Sequence, residues 1–236
     1  MEASFPSMRC INLGRREDRR NEVTWQFYSQ DLPVERFPAV NVRTLTKLRG
    51  HRGAGQYGCA LSHRMILREA KLAGHAAVLI FEDDVVLHPD FRRLAEALTL
   101  PEDWGIFYFG CLHVSTPQVI APGIVKVTGA WTTHAYAVRA RYFLRVRTAM
   151  RNGATGKGVK ECDVVLAELA DEIPTYAAYP NLAWQSAGAS DIMNVNRCQF
   201  DQNGIQGGAS KILGAVDEEM RHLLSGAKTA GPTTAM

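Results

Sequence analysis

Three consecutive acids, Glu82, Asp83 and Asp84, close the apolar run "AAVLIF" at residues 76–81. Like charges repel one another and resist burial, so such a cluster needs a cation, a proton or a basic partner. If the chain stays extended, Glu82 and Asp84 point to one side and Asp83 to the other. A carboxylate pair of that kind suits Mg²⁺ or Mn²⁺, which completes its shell with water and substrate phosphates. The competing reading is an acidic strand-end turn salt-bridged to arginine, and the triplet alone does not separate the two.

Other groups have chemistry of their own. Arg15, Arg16, Arg19 and Arg20 follow the short apolar stretch "MRCINL". Guanidinium forks suit phosphate oxygens, and the turn after a first strand is a common resting place for a nucleotide. The same arginines also share helical spacing with interleaved acids, as on a solvated helix face. In "GQYGCALSHRM", Gly58 and Ser62 are four apart, as are Cys59 and His63, so each pair shares a face. Cys59 and His63 have ligand chemistry, but two ligands are too few, and His63 reads better as a hydrogen-bonded packing histidine. The small Gly58/Ser62 face would let a backbone or a sugar nucleotide come close. Trp131, Thr132, Thr133 and His134 combine a ring face with donors, as in a sugar pocket or in ordinary strand packing. Asp163 opens the run "DVVLAEL", where a carboxylate serves as an N-cap or as a base. Asp191 sits in a Gly/Ala/Ser stretch, where it either caps or closes a metal or acceptor site.

These residues need a scaffold. Residues 8–13, 34–40, 76–81 and 104–111 read as strands; 15–30, 57–74 and 90–98 read as helices. Leu61, Met65 and Leu72 are expected on the buried face of the second helix, with Gly74 as its stop. Residues 41–56 read as a basic loop, 118–138 as strands and turns, 139–153 and 160–172 as helices, and 173–180 as a final strand. A C-terminal helix is expected over 210–226, ahead of a loose tail at 227–236. Alternating strands and helices predict an α/β sandwich with a mainly parallel sheet, and one domain over residues 1–226. Ligands in such sheets sit at the carboxyl ends of strands near a switch in strand order.

Composition bounds the reading. At 236 residues, 46% hydrophobic and 22% charged, the chain can bury a real core. A formal charge of +3 is too mild for a nucleic-acid coat but is compatible with an anionic ligand or membrane face. No apolar run reaches the roughly 18 residues of a membrane span, and the start lacks a signal-peptide core. The five cysteines are scattered without CxxC spacing, which argues against a disulfide framework and against a structural zinc site and points to a reducing cytoplasm.

The order of the pieces is more telling than any one of them. "INLGRREDRR", "FPAVN", "GQYGCALSH", "VLIFEDDVVL", "THAYAV", "CDVVLAEL" and "YPNLAWQSAGASDI" together resemble glycosyltransferase family 25 over residues 8–192. That family includes bacterial lipooligosaccharide galactosyltransferases and collagen-type galactosyltransferase domains. The resemblance implies a GT-A-like fold, a UDP-sugar donor, Mn²⁺ or Mg²⁺, and inversion at the sugar carbon. It implies that Asn12, Arg15, Arg16 and Arg19 lie by the nucleotide and that Ala39, Val40 and Asn41 pass the uridine. Ser62, His63 and Asp83 complete the expected donor site. Glu82 to Asp84 become the metal motif, with Glu82 and Asp84 as ligands, and Asp163 or Asp191 becomes the general base. Phe81 stands where leucine is more usual before the acids, and the basic loop "RTLTKLRGHRG" leaves the acceptor open.

The expected activity is transfer of a hexose, galactose first, to a saccharide or glycolipid such as lipooligosaccharide. The arginines of residues 139–151 offer a peripheral contact with anionic lipid at the inner membrane face, against the plainer reading of a solvated helix. A metal-dependent phosphohydrolase and a non-catalytic sugar-nucleotide or glycan-binding module are the competing classes. Oligomeric state is left open.

Overall fold

The computed structural model describes residues 1, 4–42, 53–155, 160–186, 188–189 and 196–197. Asp191, Cys198, most of the basic loop, the expected helix at 210–226 and the tail at 227–236 lie outside the described residues.

The chain opens with β1 (Met8–Asn12), α1 (Glu17–Ser29), β2 (Glu35–Pro38), α2 (Ala54–Leu72) and β3 (Ala77–Glu82). β1 pairs in parallel with both β2 and β3. The chain thus leaves β1 to one side and returns to the other, which makes a switch point at the carboxyl ends of β1 and β3. Next come β4 (Val85–Leu87), α3 (Phe91–Ala97), β5 (Ile106–His113), β6 (Gln118–Ala121), β7 (Ile124–Lys126) and β8 (Ala130–Arg139). α4 (Phe143–Thr155), α5 (Cys162–Glu168), β9 (Thr175–Ala178) and β10 (Ala183–Gln185) follow. The short strands β11 (Gly188–Ala189) and β12 (Asn196–Arg197) pair with each other.

Eight strands form the central sheet in the order β2-β1-β3-β8-β5-β9-β7-β6. β2, β1, β3, β5, β9 and β6 run one way; β8 and β7 run the other. The sheet is therefore mainly parallel in direction, as expected, with β8 inserted antiparallel at its centre. The last expected strand is followed by β10, which pairs antiparallel with β4 beside the main sheet.

Burial explains the layers. Val78 and Ile80 of β3 join a core with Ile66 and Leu67 of α2, Val146 and Met150 of α4, and Val165 and Leu166 of α5. Leu79 and Phe81 point the opposite way, to Val23 and Phe27 of α1 and Phe91 of α3. That is the period-two alternation of a strand covered on both faces, and it accounts for the unbroken apolar run.

α2 begins at Ala54, three residues before the expected start, and its buried face differs from the expected one. Met65 and Leu72 are exposed, at 38% and 72%. The inner stripe is Gly58, Ser62, Ile66 and Ala70, with Ala60, His63 and Leu67 beside it. Small residues win this face because the helix runs close to the backbone after β2: a Cβ on Gly58 would lie 2.7 Å from the Val40 carbonyl oxygen. Gly74 does end the helix, at φ 73°, with His75 N–H bonding back to the Ala70 carbonyl, as in a Schellman cap.

Candidate active site at the ends of β1 and β3

The acidic triplet does not stay extended. β3 ends at Glu82, Asp83 and Asp84 form a turn, and the chain resumes at Val85 as β4. The turn removes the extended geometry that was expected to set Glu82 and Asp84 on one side, and it brings Asp83 and Asp84 to one guanidinium. One guanidinium nitrogen of Arg19, Nη1, lies 3.1 Å from Asp83 Oδ1 and 3.6 Å from Asp84 Oδ2. Glu82 continues the alternation of β3 toward α2 instead. It accepts a hydrogen bond from Thr133 Oγ1 and lies 3.4 Å from His63 Nε2.

Asn12, at the end of β1 and 1% exposed, organises the neighbouring groups. Its Nδ2 donates to Asp83 Oδ2 at 2.8 Å and to the Arg16 carbonyl at 3.0 Å. Its Oδ1 accepts from Arg36 Nε at 2.9 Å, and Ala39 N–H donates to its carbonyl at 3.0 Å. Arg36 was not anticipated; the signal available was a lone cation in β2, a strand adjacent to β1. Burial raises the pKa of Asp83, against the lowering pull of its bonds from Asn12 and Arg19. Asp84 is buried, and its carbonyl accepts from Ser186 N–H at 2.8 Å.

The remaining expected residues separate into groups. Arg16 folds onto Asp18, 2.7 Å from Nη2 to Oδ2, and holds that carboxyl down at about 2. Arg15 is exposed at the same turn. Ala39, Val40 and Asn41 leave β2 half-buried, and Val40 N–H donates to Ser62 Oγ at 2.9 Å. Ser62 in turn donates to the Gly58 carbonyl at 2.8 Å. Thus Ser62 fixes the segment after β2 to α2, and the Ala39 and Val40 amides already have acceptors.

Trp131 is 46% exposed, and Thr132 next to it has φ 76°, a left-handed backbone uncommon for a β-branched residue. Its N–H donates to Asp163 Oδ2 at 3.2 Å, while Asp163 Oδ1 accepts from Val164 N–H at 2.8 Å. The Asp163 carboxylate is therefore held against β8, close to Trp131 and Thr132. Thr133 turns to Glu82. His134 goes elsewhere: it is 3% exposed, with Nε2 3.2 Å from the Ala183 carbonyl of β10. It packs under β10 and does not join Trp131 in lining a pocket, because the sheet and β10 close over it.

His63 is fully buried, as a packing histidine should be, with Nδ1 2.9 Å from Tyr136 Oη. Burial opposes its charged form, but the Cys59 sulfur and Glu82 carboxylate beside it outweigh that and raise its pKa. A further neighbour was not foreseen: Cys162, at the start of α5, has its Sγ 3.7 Å from Cys59 Sγ.

Asp83 and Asp84 lie together in an acidic turn salt-bridged to Arg19, as in the alternative reading of the triplet. These two carboxylates already share a single positive group, and oxygen donors of that type suit Mn²⁺ or Mg²⁺. Arg19 stands in as the cation, so metal and guanidinium would compete for the same oxygens.

Residues 6–115 match the model of glycosyltransferase family 25, described as an LPS biosynthesis protein family. The chain is thus similar to glycosyltransferase family 25 over just under half of its length. The match spans the elements from β1 through β5 and holds Asn12, the arginine turn, Ser62, His63 and the acidic triplet. Family relatives include the human inactive glycosyltransferase 25 family member 3, 31% identical over 169 residues, 57% of this chain and 27% of the relative. Mouse procollagen galactosyltransferase 2 is 29% identical over 163 residues, 57% of this chain and 26% of the relative. The chain spans about a quarter of the length of these relatives. A solved glycosyltransferase involved in glycosylation of the major capsid of PBCV-1 shares the fold at TM-score 0.51 and 12% identity, over 78% of this chain and 93% of that one. The chain is thus built as a GT-A-like α/β sandwich, and the fold expectation holds.

Proposed function

We propose that this chain is an inverting hexosyltransferase that moves a hexose, galactose first, from a UDP-sugar to a hydroxyl of a saccharide or glycolipid acceptor. The observation that carries this reading is the convergence of Asp83 and Asp84 on one cationic group at the switch point between β1 and β3. That is the place where an α/β sheet receives a nucleotide. Asp83 and Asp84 would hold Mn²⁺ or Mg²⁺, which supplies charge neutralisation for the departing diphosphate.

The chain's own groups do the rest. Asn12 and Arg36 fix the Asp83 carboxylate by direct and relayed hydrogen bonds, and Arg15 and Arg19 present cationic forks for phosphate oxygens. Ser62 sets the Ala39–Asn41 segment that the uridine would pass. Trp131 offers an exposed ring for a sugar face. Asp163, oriented by two backbone N–H groups, takes the proton from the attacking acceptor hydroxyl at its carboxylate oxygen. Positioning and proton removal together are the work expected of the protein in one-step displacement. Asp191 is the second candidate for the base.

A lipid-linked acceptor would bring the chain to an inner membrane face. Among the described residues no helix is long and apolar enough to cross a membrane. Of the arginines of residues 139–151, Arg145 forms a bidentate pair with Glu172 and Arg139 donates to the Glu102 carbonyl beside Trp104. A non-catalytic reading also has support, since several relatives carry "inactive" in their names while others are named galactosyltransferases.

The test is a panel of UDP-sugars with and without Mn²⁺, followed by thermal shift and by UDP release with saccharide acceptors. One sugar nucleotide should stabilise the fold in a Mn²⁺-dependent way, and UDP release should require acceptor. Release without acceptor would favour phosphohydrolysis. Binding without transfer across the panel would favour the binding module.

A further inference from the structure

Behind the acidic turn, α2 and α5 bring three soft donors together. Cys59 and His63 lie one turn apart on α2, and Cys162 is the first residue of α5. Their ligand atoms all lie within 4.8 Å of one another. The two sulfurs are 3.7 Å apart, far beyond the roughly 2.05 Å of a disulfide. Two thiolates on a tetrahedral zinc at about 2.3 Å each would lie about 3.8 Å apart, which this separation matches.

The surroundings suit a metal ligand. Nδ1 of His63 is fixed by Tyr136 Oη at 2.9 Å, whereas Nε2 is buried without a hydrogen-bond partner, 3.4 Å from Glu82 Oε1. A ligating imidazole characteristically uses one nitrogen for the metal and has the other fixed by such a partner. His63 and Cys162 are buried, and Cys59 is half-buried.

We infer that Cys59, His63 and Cys162 form a binding site for a thiophilic divalent ion, zinc by preference, separate from the carboxylate site at Asp83 and Asp84. Binding replaces two S–H bonds by two sulfur–metal bonds and one ring nitrogen–metal bond, releasing to solvent the two thiol protons and any proton carried by that nitrogen, with no change of oxidation state. Two sulfurs and one nitrogen select such an ion over Mg²⁺ or Mn²⁺. Three protein donors leave the fourth position to water. The ion acts as a clasp. It ties α2, whose Ser62 anchors the segment after β2, to α5, whose Asp163 follows Cys162 directly.

The test begins with the full chain, purified under reductant without chelator, and elemental analysis. Wild type should carry about one zinc per chain, and Cys59→Ser and Cys162→Ser should each lose most of it. Cobalt added to chelator-stripped wild type provides a reading that does not depend on a variant folding. A sulfur-to-cobalt charge-transfer band, abolished by added zinc, is expected. Zinc should also shield Cys59 and Cys162 from alkylation. The inference is overturned if stripped wild type binds cobalt without that band, or if both serine variants keep their zinc. A Cys59–Cys162 disulfide that forms freely in the zinc-loaded protein would overturn it as well. None of these readings involves donor binding or turnover, so their failure is distinct from failure of the transferase proposal.

Discussion

The oxygen cluster at the end of β3 and the sulfur cluster between α2 and α5 meet across Glu82 and His63, yet they are assembled in opposite ways. Asp83 and Asp84 are neighbours in sequence, stand at the switch point of the sheet and share Arg19. Cys59 and Cys162 are separated by 103 residues and meet beneath the surface, against a buried histidine. The first arrangement is hard, anionic and crossed by arginines that suit phosphate. The second is soft, largely buried and joins two helices. The difference teaches that proximity to an active-site motif does not assign a side chain to it: Glu82 belongs to the acidic triplet in sequence but faces the sulfur side in space.

Four substitutions can break that division or sharpen it. The largest effect is expected from Asp84→Asn, which should abolish Mn²⁺-assisted UDP-sugar affinity by calorimetry while zinc content stays that of wild type. Loss of both metals together would merge the two clusters into one site. Asp163→Asn should leave donor binding intact and lower turnover by about 10²–10⁴, the usual range for a lost general base. Full activity in that variant would pass the role to Asp191.

Gly58→Ala probes the helix that serves both clusters. Its new methyl would press on the Val40 carbonyl, and about 1–3 kcal/mol of stability should be lost by urea titration. An unchanged midpoint would show that the segment after β2 is free to shift. The smallest expected effect is that of Thr133→Val, which removes a hydroxyl donor from Glu82. About 1–2 kcal/mol should disappear from the unfolding free energy. If the two clusters are independent, Mn²⁺-assisted binding changes no more than this stability loss explains; a much larger fall in both metal affinities would show that Glu82 couples them.

Much of the frame was legible because local rules and burial agree. The run at β3 is apolar on both faces because both faces are covered, and Gly74 stops α2 because it can take positive φ. The inner face of α2 was misread for an identifiable reason. Hydrophobicity favoured Leu61, Met65 and Leu72, whereas close approach to the Val40 backbone favours Gly58 and Ser62. His134 looked like part of a sugar pocket from its neighbours in sequence, but β10, which no local pattern announced, covers it.

The sequence by itself determined that a strand ends in three acids, that arginines follow the first strand, and that these pieces occur in the order of glycosyltransferase family 25. Charge, apolar runs and glycine conformations are properties of short segments, so short segments disclose them. Only the tertiary structure decided that Asp83 and Asp84 share Arg19, because a turn of two residues replaces the alternation that extension would impose. Only it brought Cys162 to Cys59 and His63, where linear spacing had argued against a sulfur site. Contacts between distant residues depend on how helices pack across a sheet, and that packing is a property of the whole chain.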